Sequence, residues 1–372
     1  MAKVIPTVDG IPVIPISAPR PPEEVDRKPL ETAQDALGSS PPSRLGLRIS
    51  AAWWRSLQYV GMTMHFLAPP RPPNQSFTKT IPSTISKTKG SFTLQFYTPA
   101  GYEQATTRGG TKFPAVVNFH GGGFTLGSAT DDARFARFVL EDCNAVFVSV
   151  DYRLSPENPF PVAVEDAADA LLYVIRFAGD LHIDPFKLAV SGFSAGANLA
   201  LTAPLCLAEH LKTVRASGLD VPAHCIRATA TWYPTTDYTV SRAVKRANSV
   251  RPDQTLPDML TSLFDASYLH PPSLKLAHPW LSPSKATDEE LAEGIPERVI
   301  FYTCEWDMLL KEGELFAKRL GSAPINKDVR YKMIPGVPHA WDKSPDPTKL
   351  PPGAEELYRE CCRELREAFE KD

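Results

Sequence analysis

Residues Leu188–Asn198 read LAVSGFSAGAN. A short apolar run, Leu188–Val190, leads into Gly192, Phe193, Ser194, Ala195 and Gly196, and a helical pattern follows. That order predicts a strand, a tight turn and a helix, with Ser194 at the tip of the turn as an exposed nucleophile. Such a turn strains the serine backbone, and a side chain at position 192 or 196 would collide with a neighbouring strand or helix. The helix beginning at Ala195 would aim its first amides at the reacting centre, where negative charge would develop.

Composition narrows the setting. The 372 residues are 43% hydrophobic and 22% charged with a net charge of −3, so the profile is globular and lacks the basic surface that nucleic acid or an anionic membrane requires. Cys143, Cys206, Cys225, Cys304, Cys361 and Cys362 show no metal-binding spacing, and no cofactor or metal is expected. Met1–Pro6 lacks a basic stretch followed by a long apolar one, and no uncharged run is long enough to span a bilayer. A cytoplasmic protein with reduced thiols and no stable membrane insertion is the expectation.

Around the turn, strands alternate with helices. Phe92–Tyr97, Ala115–Phe119, Ala145–Val150, Ala228–Tyr233, Val299–Thr303 and Val329–Ile334 read as strands, and residues 131–141 and 162–177 as helices. Pro204 is expected to kink or end the helix that begins at Ala195. A final helix carries Leu357, Cys361, Leu365 and Phe369 four residues apart as a docking stripe. This alternation implies an α/β fold whose mainly parallel sheet is covered on both faces. Residues 1–45 read as a proline-rich arm, partly disordered or draped over the surface. Residues 46–75 read as one or two aromatic-rich cap helices ended by Pro69 and Pro70 and buried against the rest. Residues 76–236 and 286–372 form the two parts of the core, and 237–285 a cap insertion after a strand's end.

Acyl transfer through serine needs a nucleophile, a base, a group that orients the base, and amides for the oxyanion. His120, Gly121, Gly122, Gly123 and Phe124 follow a strand. The glycines let the backbone N–H groups of Gly122 and Gly123 turn towards a substrate oxygen, joined by the amide of Ala195. A phosphate-cradling loop is disfavoured because no Lys-Ser/Thr follows. Asp307 stands just after the strand ending at Thr303, and His339 after the one ending at Ile334. The chain order Ser194, Asp307, His339 suits nucleophile, orienting acid and base, with Glu305 as the rival orienter and His120 as a structural support of the glycine loop.

HGGGF, the stretch Val150–Asp166 (VDYRLSPENPFPVAVED) and GFSAG together resemble the hormone-sensitive-lipase-like branch, family IV, of the α/β-hydrolase esterases. The similarity extends over roughly residues 86–345 and includes Glu305–Met308 and the histidine loop. It implies the α/β-hydrolase fold: an eight-stranded core sheet, an N-terminal and inserted helical cap, and hydrolysis of carboxylic esters without a cofactor. Ser194 falls on the family's nucleophile, Asp307 on its acid and His339 on its base, with Arg153 and Glu157 expected to pair nearby. The sequence departs from the pattern twice: Phe193 replaces the usual acidic residue or threonine, and Ala340-Trp341 replaces Gly-Phe. The expected substrate is an ester of a small to medium apolar acyl group, and a homodimer is possible. A deacetylase, lactonase or amidase would use the same residues. A ligand-binding receptor on this fold would lack the base, and a scaffold protein would use the proline-rich arm.

Overall fold

In the computed structural model, residues 28–38 and 41–371 are described, together with a short antiparallel pair, β1 (Thr7–Val8) and β2 (Ile11–Pro12). The expectation for the remainder of the proline-rich arm lies outside the described residues. Within the arm, α1 (Ala33–Leu37) is docked rather than loose, since Ala33 is fully buried and Thr32 bridges to Lys275.

The core is one eight-stranded sheet. Its strands are β3 (Phe77–Pro82), β4 (Ser91–Tyr97), β5 (Phe113–Phe119), β6 (Val146–Asp151), β7 (Ile183–Phe193), β8 (Ile226–Trp232), β9 (Arg298–Cys304) and β10 (Asp328–Ile334). They lie in the order β10-β9-β8-β7-β5-β6-β4-β3, parallel except that β4 runs antiparallel to both β3 and β6. The central strands are apolar, β-branched and buried on both faces, as a covered parallel sheet demands. β3 was not foreseen, because Thr78, Lys79 and Thr80 are exposed on an edge and carry little apolar signal.

One face is covered by α5 (Val162–Arg176) and α6 (Ala195–Ala216), and the other by α4 (Ala133–Asp142) and α11 (Ala354–Glu370), while the short helices α3 (Tyr102–Arg108) and α9 (Asp288–Gly294) precede β5 and β9. Leu357, Cys361, Leu365 and Phe369 are all buried on the sheet. Pro204 does not end α6. A proline leaves the carbonyl one turn earlier without its N–H, and here Thr229 Oγ1 on β8 donates to Ala200 O at 3.1 Å in its place.

β5 leads to β6 on one side, and the chain then returns to place β7 on the other. The carboxyl ends of β5 and β7 therefore flank a topological switch point, where such sheets leave a crevice. Phe119 pairs with Gly192, Phe193 with Trp232, and Ile334 with Cys304, so the loops after these strands emerge at one edge. Above that edge lie α2 (Arg44–Leu67), α7 (Arg242–Ala247) and α8 (Asp258–Tyr268). Only Leu47, Ala51 and His65 of α2 are buried, with Leu47 packed on Leu263 and Ala266 of α8. The expected burial of this segment is thus corrected: α2 is one continuous helix with a largely exposed apolar face.

Candidate active site

The turn after β7 holds Ser194 at φ 54° and ψ −114°, a conformation that an L-residue keeps only when its surroundings impose it. The surroundings are tight. A Cβ on Gly192 would sit 2.1 Å from Gly196 O, and one on Gly196 would sit 1.9 Å from Phe119 O. Ser194 N–H donates to Trp232 O at 2.8 Å, tying the tip to β8.

His339 Nε2 lies 2.8 Å from Ser194 Oγ, and His339 Nδ1 lies 2.5 Å from Asp307 Oδ2. Asp307 is 1% exposed and His339 9%, so the pair is shielded from solvent. With Asp307 accepting from Nδ1–H, Nε2 is left with a lone pair that faces the Ser194 hydroxyl. The other carboxylate oxygen of Asp307 accepts from Leu309 N–H at 3.0 Å, which fixes its orientation. Glu305 is turned elsewhere and accepts from Gly336 N–H at 2.7 Å. The acid and histidine loops are joined by Trp306 N–H donating to Val337 O at 3.0 Å. Ala340, where the family pattern has glycine, adopts a left-handed φ of 57°.

The glycine loop faces the elbow. Gly122 and Gly123 have φ of 109° and 59°, and Cβ atoms there would meet Leu126 O at 2.3 Å and the Phe264 ring at 2.2 Å. Their amides and that of Ala195, at the first turn of α6, donate to no backbone acceptor among the described residues. His120 Nδ1 lies 2.8 Å from Gly121 O, and its ring stacks on Tyr152 at 4.3 Å, while Tyr152 OH donates to His120 O at 2.8 Å. His120 is thereby held inside the loop, away from the serine–histidine pair.

Three features were not legible beforehand. Phe193 stacks on Trp232 at 5.5 Å, and Lys343 Nζ sits over its ring at 3.9 Å. Lys343 pairs with Asp132 at 2.8 Å and Asp342 at 3.4 Å; burial works against its charge, but these carboxylates outweigh burial and raise its pKa. Asp342 also accepts from Tyr233 OH at 2.6 Å and Tyr358 OH at 2.5 Å, and the Tyr233 ring lies 4.8 Å from that of His339. The segment following His339 is thus anchored by a buried charged cluster. Its only sequence signal was the closeness of Lys343 to His339.

Arg153 does not pair with Glu157. It grips Asp166 at 2.7 Å, whereas Glu157 takes Arg55 of α2 at 2.9 Å. The cap helix claims Glu157, and the fully buried Asp166 is left to accept the guanidinium.

A cavity of about 270 Å³ opens onto Ser194 and His339. Met62, Leu256, Phe264 and Tyr233 form its apolar wall, and Gln58 donates to Asp131 at 2.7 Å on one side. Burial raises the Asp131 pKa. A larger cavity of about 630 Å³, beside α7 and the helix α10 (Leu310–Leu320), touches none of the three residues.

Sequence comparison places this arrangement in a known class. A family model for the α/β-hydrolase fold matches residues 116–343. An AB hydrolase superfamily protein of Schizosaccharomyces pombe is 30% identical over 261 residues, 70% of this chain and 71% of that protein. The carboxylic ester hydrolase LipN of Mycobacterium tuberculosis is 34% identical over 226 residues, 60% of this chain and 56% of LipN. A solved hyperthermophilic esterase from the archaeon Pyrobaculum calidifontis superposes with a TM-score of 0.66 at 27% identity, covering 86% of this chain and 93% of the esterase. The chain belongs to the α/β-hydrolase fold family, in its hormone-sensitive-lipase-like branch. By class it is a carboxylic ester hydrolase.

Proposed function

We propose that the protein is a serine carboxylesterase that works through an acyl-enzyme, with Ser194 as nucleophile, His339 as base and Asp307 as the orienting acid. The observation that carries this reading is His339, which bridges Ser194 Oγ at 2.8 Å and Asp307 Oδ2 at 2.5 Å. In the first half-reaction Ser194 Oγ attacks the ester carbonyl as its proton passes to His339 Nε2. The tetrahedral oxyanion is met by the amides of Gly122, Gly123 and Ala195, and the charged imidazole is stabilised by Asp307. Collapse expels the alcohol, which takes the proton from His339. Water then attacks the acyl-enzyme with His339 again as base, releasing the acid and restoring Ser194.

The substrates are esters of small to medium apolar acyl groups, a reading supported by the apolar wall and the volume of about 270 Å³. Segments 46–75 and 237–285 serve as the cap, since they supply Met62, Leu256 and Phe264 to that wall. The test is a p-nitrophenyl ester series of increasing chain length on the wild type and Asp307→Asn. The expected result is a preference for short to medium chains and a fall in kcat of about 10⁴ in the variant, the scale of losing the imidazole's tautomer control. Equal kcat for the two proteins would refute the role of Asp307.

A further inference from the structure

The cap helix α2 has a second face that the catalytic cavity does not use. Leu45, Ile49, Trp53, Leu57, Val60 and Met64 recur at spacings of four and three, which puts them on one side of the helix. They are 42–68% exposed, and among the described residues nothing covers them. The opposite side is anchored, with Leu47 packed on α8 and Arg55 paired with Glu157. This is therefore a fixed apolar stripe on a docked helix.

We propose that this stripe docks the protein on an anionic lipid surface, with α2 lying in the plane of the interface. Charge is the first argument, and it is local to α2, because the whole chain carries a net charge of −3 and its composition alone points away from an anionic membrane. Arg44–Leu67 contains no Asp or Glu, and the exposed Arg48 on the flank of the stripe and Arg71 just beyond the helix are cationic. Area is the second. At 1.5 Å per residue the helix is about 36 Å long, and a stripe roughly 10 Å wide gives about 360 Å². That is less than half of the roughly 800 Å² that each partner contributes to a standard protein–protein interface. A second copy of the chain would find too little area there, whereas a lipid surface gains from each apolar side chain it takes up. No helix among the described residues is long and apolar enough to cross a membrane, so the contact is with the surface. The inner edge of the same helix supplies Gln58, Gly61 and Met62 to the cavity over Ser194, which places that cavity beside the docked face.

The test uses the full chain in vesicle flotation, with phosphatidylcholine alone and with phosphatidylcholine containing phosphatidylglycerol. The wild type is expected to float with the anionic vesicles and to be released by salt. The double variant Ile49→Glu, Trp53→Glu should float at least about tenfold less, since it loses two large apolar side chains and adds two like charges. Its thermal midpoint should be unchanged, because both side chains are exposed. The readout is binding, so it is independent of whether the esterase reading holds. Failure of the wild type to float with either vesicle would overturn the proposal, as would equal flotation of the variant. Light scattering that shows a wild-type dimer and a monomeric variant would assign the face to a second copy instead.

Discussion

The floor and the roof of the catalytic cavity are built in different ways. The floor is made of backbone: the turn at Ser194, the glycine loop and two buried strands meet with spacings that exclude even a methyl group at Gly192 or Gly196. The roof is made of side chains: α2 and α8 meet through a small cluster around Leu47, Leu263 and Ala266, and one whole side of α2 is left to solvent. A floor of this kind would hold the atoms of the proposed reaction to a fraction of an ångström. In the proposed reaction the roof would set what enters, and its few buried contacts tolerate change.

The sharpest way to break this contrast is Gly196→Ala. Its Cβ would press on Phe119 O and His120 O, both backbone, and neither can step aside. The expected cost exceeds about 4 kcal/mol or abolishes folding, read by thermal or denaturant unfolding. A variant of near wild-type stability would show that the floor yields as readily as the roof.

The tie of the roof through His65 responds to pH. His65, at the end of α2, is buried with Nδ1 2.9 Å from Ser344 O and Nε2 2.6 Å from Arg134. The neutral ring donates to the carbonyl and accepts from the guanidinium. Burial, then the charges of Lys343 and Arg134, push its pKa down from 6.5 to about 4. The unfolded chain therefore binds the proton first as pH falls. Stability attributable to the neutral ring is full above pH 6.5 and is lost between there and about pH 4, by up to about 3 kcal/mol. Between pH 7.5 and 4.5, unfolding midpoints should fall more steeply in the wild type than in His65→Gln. Parallel curves would remove His65 from the account.

The smallest effect sharpens the comparison from the roof side. Phe264 covers Gly123 and lines the cavity, so Phe264→Ala should widen the pocket and leave the fold intact. The ratio of kcat/KM for longer over shorter acyl esters should rise by about tenfold, the scale on which an apolar pocket discriminates. An unchanged ratio would place the acyl group elsewhere.

The same division explains what could be read from the sequence. Parallel strands buried on both faces write themselves as dense apolar runs, and the six strands expected around the elbow's own are all present. Ser194, Asp307 and His339 stand at strand ends, so an ordered alternation was enough to bring them to one edge. The edge strand β3 left no such trace, because most of it faces water. The hydrogen bond from Thr229 to Ala200 that compensates for Pro204 joins residues 29 positions apart on different elements, a contact that no local pattern encodes. α2 misled for the opposite reason: apolar on both sides, it resembles a helix enclosed by protein, and only the packing shows which side is covered. The Arg153–Glu157 pair expected from the family resemblance does not form, because Arg55 reaches Glu157 across the cap and Arg153 turns to Asp166.

The most direct test of the central claim is labelling with diethyl p-nitrophenyl phosphate. Attack by the nucleophile forms a serine–phosphorus bond and expels p-nitrophenolate, and intact-mass and peptide analysis locate the adduct. One equivalent of p-nitrophenolate, a single diethyl phosphoryl group on Ser194, and no adduct or ester hydrolysis in Ser194→Ala are the predicted results. An active enzyme that carries the adduct on another residue, or that keeps its ester hydrolysis after Ser194→Ala, would contradict the account.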